Sequence, residues 1–410
     1  MAEPIKDFEA HVAAVKRRES VVRALLDWDE GAACERLLQA ADGALHGWAL
    51  GVKDIIDVAG HPTRCGVEFT PETPATSDAE VVERLKSLGA YVFSKVVTTV
   101  FAYFDPGPST NPWNPAHTTG GSSMGSAAAV AAGFVRLALG SQTVGSIGRP
   151  ASYCGVVGFK PTYERMPLAG VFPFSPTVDT VGFFTQNVRD LRVASSAYFG
   201  ETTSDVSTSV DATRVGLIDD MLCEPADEDM LAAVREVGAR LTAEGFSVRP
   251  ASVPSALRAA YDNHLKLITA EAAISHRDLF SVHSADYTPK LRELILSGQK
   301  ISTAELEECR GRRVEFESEI AALWDEFDVL LTPSAPGAAL RGLEITGDPR
   351  MNLIASHTRV PALTLPARLN ADGLPLGVQL LAPKMADLQL LAAAETIESV
   401  IDFHARIPEA

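Results

Sequence analysis

Residues 118–148 read TTGGSSMGSAAAVAAGFVRLALGSQTVGSIG, with seven glycines and five serines flanking a helix-forming alanine run. Glycine permits close backbone approach and positive φ, and repeated serine sets hydroxyls beside backbone amides. Three readings of this stretch compete. It fits a packing segment whose small residues let a helix sit close to a strand. Gly121-Ser-Ser-Met-Gly125 fits a nucleophile elbow centred on Ser123, but that motif needs a strand just before it, and NPWNPAHTT at 111–119 is a turn-former. The third reading depends on the sequence around it.

Upstream, Trp48–Val52 and Tyr91–Ser94 read as short buried strands. Between them lies AEVVERLKSLG, a helix capped at Ser77-Asp78 and ended by Gly89. This is a βαβ pattern, and it predicts a sheet with helices on its faces. Further apolar runs at Arg136–Leu139, Val156–Phe159, Val181–Thr185 and Val215–Ile218 read as strands, the last followed by a helix from about Asp227 to Ala243. Strands return at Val329–Leu331, Ala362–Pro366 and Gly377–Leu381, before a closing helix at Ala386–Val400. The predicted fold class is α/β, with early and late strands in one large mixed β-sheet covered by helices on both faces. The expected organisation is one domain over 1–410. Its parts are N-terminal helices at 1–45, a core at 46–200, a helical excursion over about 225–326, and C-terminal strands and helix at 327–401. The excursion is most evident from about 255 on, where the chain is charged, helical in period and poor in glycine.

Composition excludes several classes. Forty-six per cent apolar and 22% charged residues describe a folded globular chain, not a disordered one. A net charge of −17 argues against nucleic acid or an anionic membrane as partner. Five cysteines at 34, 65, 154, 223 and 309, without a CxxC, predict free thiols in a reducing compartment. The N-terminal MAEPIKDFEAHVAAVKRRES carries charges where a secretory signal needs an apolar run. The small-apolar stretch Gly125–Val135 is too short to span a bilayer. A cytoplasmic location is expected. Phosphate-loop, zincin and dinucleotide motifs are missing from the sequence, and no Cys–His cluster has metal-ligand spacing.

Set beside these features, three blocks resemble the amidase signature. They are GGSSMGSAAAV at 120–130, GSQTVGSIGRPA at 140–151 and CGVVGFKP at 154–161. GVKDIIDVAG at 51–60 is similar to that family's lysine strand, while Asn352, Val360-Pro-Ala362 and GLPLGVQ at 373–379 resemble its C-terminal blocks. The resemblance implies an amidase-signature fold and an amidohydrolase with a Ser146, Ser122 and Lys53 triad. Ser146 falls on the nucleophile, Ser122 on a bridging serine held by a cis peptide, and Lys53 on the general base. A serine hydroxyl needs a base to become nucleophilic, and a lysine serves only when burial favours its neutral form. Backbone N–H groups of Thr143, Val144, Gly145 and Ser146 would form the oxyanion hole, and Ser123 would support the site from behind. No metal or cofactor is required.

The departures from the family pattern bear on substrate. Gln142 stands where most members have Asp, Val144 where they have Gly, and the arginine after the nucleophile is Arg149, one place nearer the proline. These features resemble malonamidase-type members, which implies that Arg149 and Gln142 contact a small, carboxylate-bearing, malonamate-like amide and that the enzyme is a homodimer. The alternatives are an allophanate- or carboxybiuret-type hydrolase, a neutral aryl or aliphatic amidase with Arg149 purely structural, and a non-catalytic or transamidation-complex subunit. His117, His264, His276 and His357 are expected to be satisfied by local hydrogen bonds.

Overall fold

A computed structural model describes residues 2–70, 72–201, 213–219, 226–254, 257–403 and 407–408; Cys223 lies outside them. The chain opens with α1 (Ala2–Val22), β1 (Leu25–Leu26), α2 (Glu30–Leu38), β2 (Ala49–Lys53), α3 (Glu80–Ser87) and β3 (Tyr91–Val96). Then come α4 (Met124–Ala131), β4 (Leu137–Gln142), α5 (Gly148–Cys154), β5 (Val157–Lys160), β6 (Thr180–Thr185), α6 (Val188–Phe199) and β7 (Arg214–Leu217). The middle holds α7 (Glu228–Ala243), β8 (Ser247–Pro250), α8 (Leu257–Ser275), α9 (Arg277–His283), α10 (Pro289–Gly298) and α11 (Thr303–Ala321). The chain closes through β9 (Val329–Pro333), α12 (Leu353–His357), β10 (Ala362–Leu369), β11 (Pro375–Leu381) and α13 (Asp387–Ile401).

All these strands join one mixed sheet in the order β1-β3-β2-β4-β6-β5-β10-β11-β9-β7-β8. The predicted βαβ unit is there: β2 runs parallel to β3 on one side and to β4 on the other. Early and late strands meet where β5 pairs antiparallel with β10, Ala362 opposite Lys160. Residues on β2, β3 and β4 alternate between two cores. Ala49, Tyr91, Phe93 and Ala138 pack with α1 and α4, while Leu50, Val52, Val92, Leu137 and Leu139 pack with α3 and α6. A sheet buried on both faces explains why these strands read as near-continuous apolar runs.

Three expectations need correction. The span from about 225 to 326 is not wholly helical, because β8 adds an edge strand parallel to β7. Its sequence, SVRP, is largely exposed and lacks the apolar alternation that marks a half-buried strand. Within 1–45, the two-residue β1 pairs antiparallel with β3. Finally, α3 is capped at Ala79 without a side-chain bond, since Asp78 instead accepts from Ala59 N and pairs with Lys86. Gly89 does end that helix, at φ +101°, where a Cβ would lie 2.7 Å from the His46 backbone. No helix among the described residues is long and apolar enough to cross a membrane.

Candidate active site

Lys53 is the last residue of β2 and is fully buried. Its Nζ donates to Ser122 Oγ at 2.7 Å and to Ser141 Oγ at 2.8 Å. Ser122 follows a cis peptide bond with Gly121. Ser141 comes from β4, whose parallel register with β2 sets Leu139 opposite Val52 and so brings Ser141 to the end of the lysine strand. Burial strips the ammonium of hydration and pushes the Lys53 pKa down to about 7, with Asp179 and Cys65 opposing the shift. Near neutral pH this amine is therefore divided between its protonated and proton-accepting forms.

The loop from β4 into α5 carries Ser146, half-buried on the wall of a cavity of about 30 Å³. Thr143, Val144, Arg149, Phe174 and Ile268 also line that cavity. Three successive carbonyls of the loop are held from outside. Thr143 O lies 3.0 Å from His264 Nε2, Val144 O accepts from Ser356 Oγ at 2.7 Å, and Gly145 O accepts from Arg149 N at 3.1 Å. In a trans peptide the following N–H points opposite to the carbonyl, so the N–H groups of Val144, Gly145 and Ser146 face away from those partners. The loop turns without positive φ at Val144, so a β-branched residue fits there. Gly145 and Gly148 are required by close approach: a Cβ on either would come within 2.5 Å of the Asn352 amide. Asn352 is itself held through its Nδ2, which donates to Gln379 Oε1.

Asp179 and Gln142 brace the same loop. Thr143 Oγ1 donates to Asp179 Oδ1 at 2.6 Å, and the N–H groups of Phe174 and Ser175 donate to Oδ2. Burial raises the Asp179 pKa against these bonds. Gln142, expected to face substrate, has both ends of its amide engaged within the protein. Its Oε1 accepts from Ile147 N and Gly148 N, which leaves Nε2 to donate to Ser356 Oγ, and Ser356 passes its own proton toward Val144 O. A carboxylate cannot donate. Gln142→Glu is therefore expected to divert the Ser356 hydroxyl from Val144 O and lower kcat about tenfold with KM nearly unchanged, the size of one lost hydrogen bond. Steady-state kinetics check this, and an unchanged kcat would remove Gln142 from the brace.

Arg149 projects from α5 and is buried. Its Nη1 donates to Gly347 O at 2.6 Å, and its Nη2 donates to Gly121 O at 2.8 Å, the carbonyl of the cis peptide. Nε has no partner. Burial pushes the guanidinium down to about 10, so it stays charged at neutral pH. Two arms of the expected carboxylate clamp thus grip main chain, while the residue still lines the cavity. Ser123 Oγ donates to Ser141 O and accepts from Ser141 N, fixing the end of β4.

Ser141 lies inside the 140–151 block, yet the sequence assigns no role to it, nor to Asp179 or Ser356; strand register and chain crossings bring them here. Of the four histidines, His276 pairs with Tyr287 Oη at 2.8 Å, His264 pairs with His357, and His117 Nδ1 is buried without a partner. Among the described residues no cluster of three or more His, Cys, Asp or Glu is placed to hold a metal. Tyr103 and Phe104 wall both the small cavity and an outer cleft of about 710 Å³.

Comparison with known proteins identifies the family. The Amidase family model matches residues 10–391. The chain is 33% identical over 396 residues to the putative amidase AmiD of Mycobacterium tuberculosis (strain ATCC 25618 / H37Rv), spanning 90% of this chain and 82% of that protein. It is 30% identical over 419 residues to a glutamyl-tRNA(Gln) amidotransferase subunit of Synechococcus sp. (strain RCC307), spanning 90% of this chain and 86% of that one. A crystal structure of an amidase superposes with a TM-score of 0.89 at 30% identity, covering 97% of this chain and 96% of the other. The chain belongs to the amidase family and is a hydrolase of amide C–N bonds.

Proposed function

We propose that this enzyme cleaves a small carboxylate-bearing amide through an acyl-serine, and that residues 1–410 act as one unit. The observation that carries the mechanism is the buried 2.7 Å contact between Lys53 Nζ and Ser122 Oγ, beside a cavity walled by Ser146. Ser146 Oγ attacks the amide carbon; its proton passes to Ser122 as the Ser122 proton passes to neutral Lys53. The oxyanion is met by N–H groups of the 143–146 loop, which its braced carbonyls hold ready. The C–N bond breaks as the relay returns a proton to the departing nitrogen, and water then releases the acid. Proton flow through one hydroxyl explains why Lys53 can serve as base without touching the nucleophile.

The acyl side of this site is narrow, and the 710 Å³ cleft leaves room for a substituted amine. Arg149 is the cation that would select an acyl carboxylate, through N–H groups not spent on Gly347 and Gly121. Its two main-chain bonds equally favour a second reading, a neutral amide with Arg149 as a brace. A substrate panel decides. Malonamate is expected to exceed a neutral amide of similar size by about 10²-fold in kcat/KM, and Arg149→Ala to erase at least tenfold of that ratio. Equal losses on both substrates would leave the neutral-amide reading standing.

A further inference from the structure

The contact on the Thr143 carbonyl comes from the helical middle of the chain. His264 on α8 and His357 at the end of α12 are both fully buried, with Nδ1 of one 3.0 Å from Nδ1 of the other. His264 Nε2 lies 3.0 Å from Thr143 O, and Asn263 Nδ2 lies 3.4 Å from His357 Nε2 while donating to Cys309 O at 2.9 Å.

Donor and acceptor chemistry leaves one neutral arrangement for this row. A carbonyl can only accept, so His264 Nε2 carries a hydrogen and its Nδ1 is bare. The facing His357 Nδ1 must then carry a hydrogen, which leaves its Nε2 bare toward the Asn263 amide. Adding a proton at His264 Nδ1 would turn His357 around and set an N–H against the Asn263 N–H. Burial opposes a positive charge on both rings; His264, Arg313 and Arg359 oppose it further on His357, while on His264 the bond to Thr143 O and Glu271 favour one against burial and Arg313. The row therefore works as a pair of neutral imidazoles with opposite tautomers.

We propose that His264 and His357 are positioning residues, a one-way hydrogen-bond relay that fixes the Thr143 carbonyl and so aims the Val144 N–H at the developing oxyanion. This rests on the reading of residues 143–146 as the oxyanion hole. The relay is one of two arms reaching the loop from α12, because Ser356, next to His357, holds Val144 O. Ile268, one turn beyond His264 on α8, lines the cavity itself. The helical middle thereby sets the angle of the catalytic loop as well as covering the sheet.

The test pairs two substitutions with one measurement on the unmodified enzyme. His264→Gln retains a donor for Thr143 O and an acceptor for His357, and is expected to keep kcat within about threefold. His264→Phe retains bulk but no donor, and is expected to lose at least tenfold in kcat and in labelling rate by a serine-directed phosphonate, with KM within about threefold. Equal losses in the two variants, or no loss in His264→Phe, would overturn the relay. Should His264→Phe fail to fold, ¹⁵N NMR of histidine-labelled enzyme decides: His264 must appear as the neutral Nε2–H form and His357 as the neutral Nδ1–H form at pH 7, and any other pair of states refutes the proposal. Phosphonate labelling of Ser146→Ala separates the two hypotheses, since its persistence would remove the nucleophile assignment without touching the tautomers.

Discussion

Ser146→Ala is expected to lower kcat on every amide substrate by on the order of 10⁶, the loss that follows removal of the nucleophile from a serine-hydrolase triad. Covalent labelling by a serine-directed phosphonate should vanish with it. The substitution deletes one oxygen and leaves the main chain of the loop as it was. Ser146 O still accepts from Ser123 N, and the Thr143, Val144 and Gly145 carbonyls keep their partners. Stability should move by less than about 1 kcal/mol, as for a half-buried hydroxyl outside a cap or core. That combination makes the test clean, because a folded and inert protein cannot be explained by collapse of the site. Retained labelling at another serine would sink the assignment and turn attention to Ser123, the elbow candidate. Its hydroxyl is engaged with both the N–H and the carbonyl of Ser141.

How much of this was legible beforehand depends on whether a feature is local in the chain. The β2–α3–β3 unit was legible because both strands are buried on both faces and the helix shows its apolar spacing. The edge strand β8 was not, since an exposed SVRP carries no periodicity. Lys53, Ser122 and Ser146 could be placed by short motifs. Their mutual geometry required β2 and β4 to lie parallel, a pairing no local pattern specifies. Ser141 illustrates the limit: it is invisible as a site residue until the register of β4 sets it against Lys53. Gln142 illustrates another, for the family resemblance implied a contact with substrate while the fold uses its amide to tie residues 147 and 148 to Ser356. Arg149 was foreseen as a cation near the reacting centre, but its hold on the Gly121 carbonyl follows only from where α5 packs.

Lys53→Met should abolish most activity and change how stability depends on pH. Methionine matches the length of the side chain but neither accepts a proton nor carries charge, so kcat is expected to fall by on the order of 10³ to 10⁴. In the unmodified enzyme the base works only when neutral. With its pKa near 7, kcat/KM should rise about tenfold per pH unit from acid up to roughly pH 7 and then level off. Stability follows from the same shift. The folded lysine titrates near 7 and the unfolded one near 10.5, so between those values the unfolded chain binds a proton that the folded chain does not. Stability must therefore rise with pH across that window, and the cost of burying the amine is largest below pH 7 and gone above 10.5. The full shift corresponds to roughly 5 kcal/mol at 1.36 kcal/mol per unit, of which roughly 4 falls between pH 7 and 10.5 because the group is half titrated at each end. Lys53→Met removes this cost but leaves Ser122 Oγ and Ser141 Oγ without their shared partner, an offset of about 1–3 kcal/mol for each hydroxyl that stays unpaired and independent of pH. The decisive quantity is thus the slope: the stability of the variant minus that of the unmodified enzyme should shrink by roughly 4 kcal/mol from pH 7 to 10.5 in denaturant titrations. A difference that stays flat across this range would mean that Lys53 is not held neutral by burial. The acid limb of kcat/KM would then have to belong to another group.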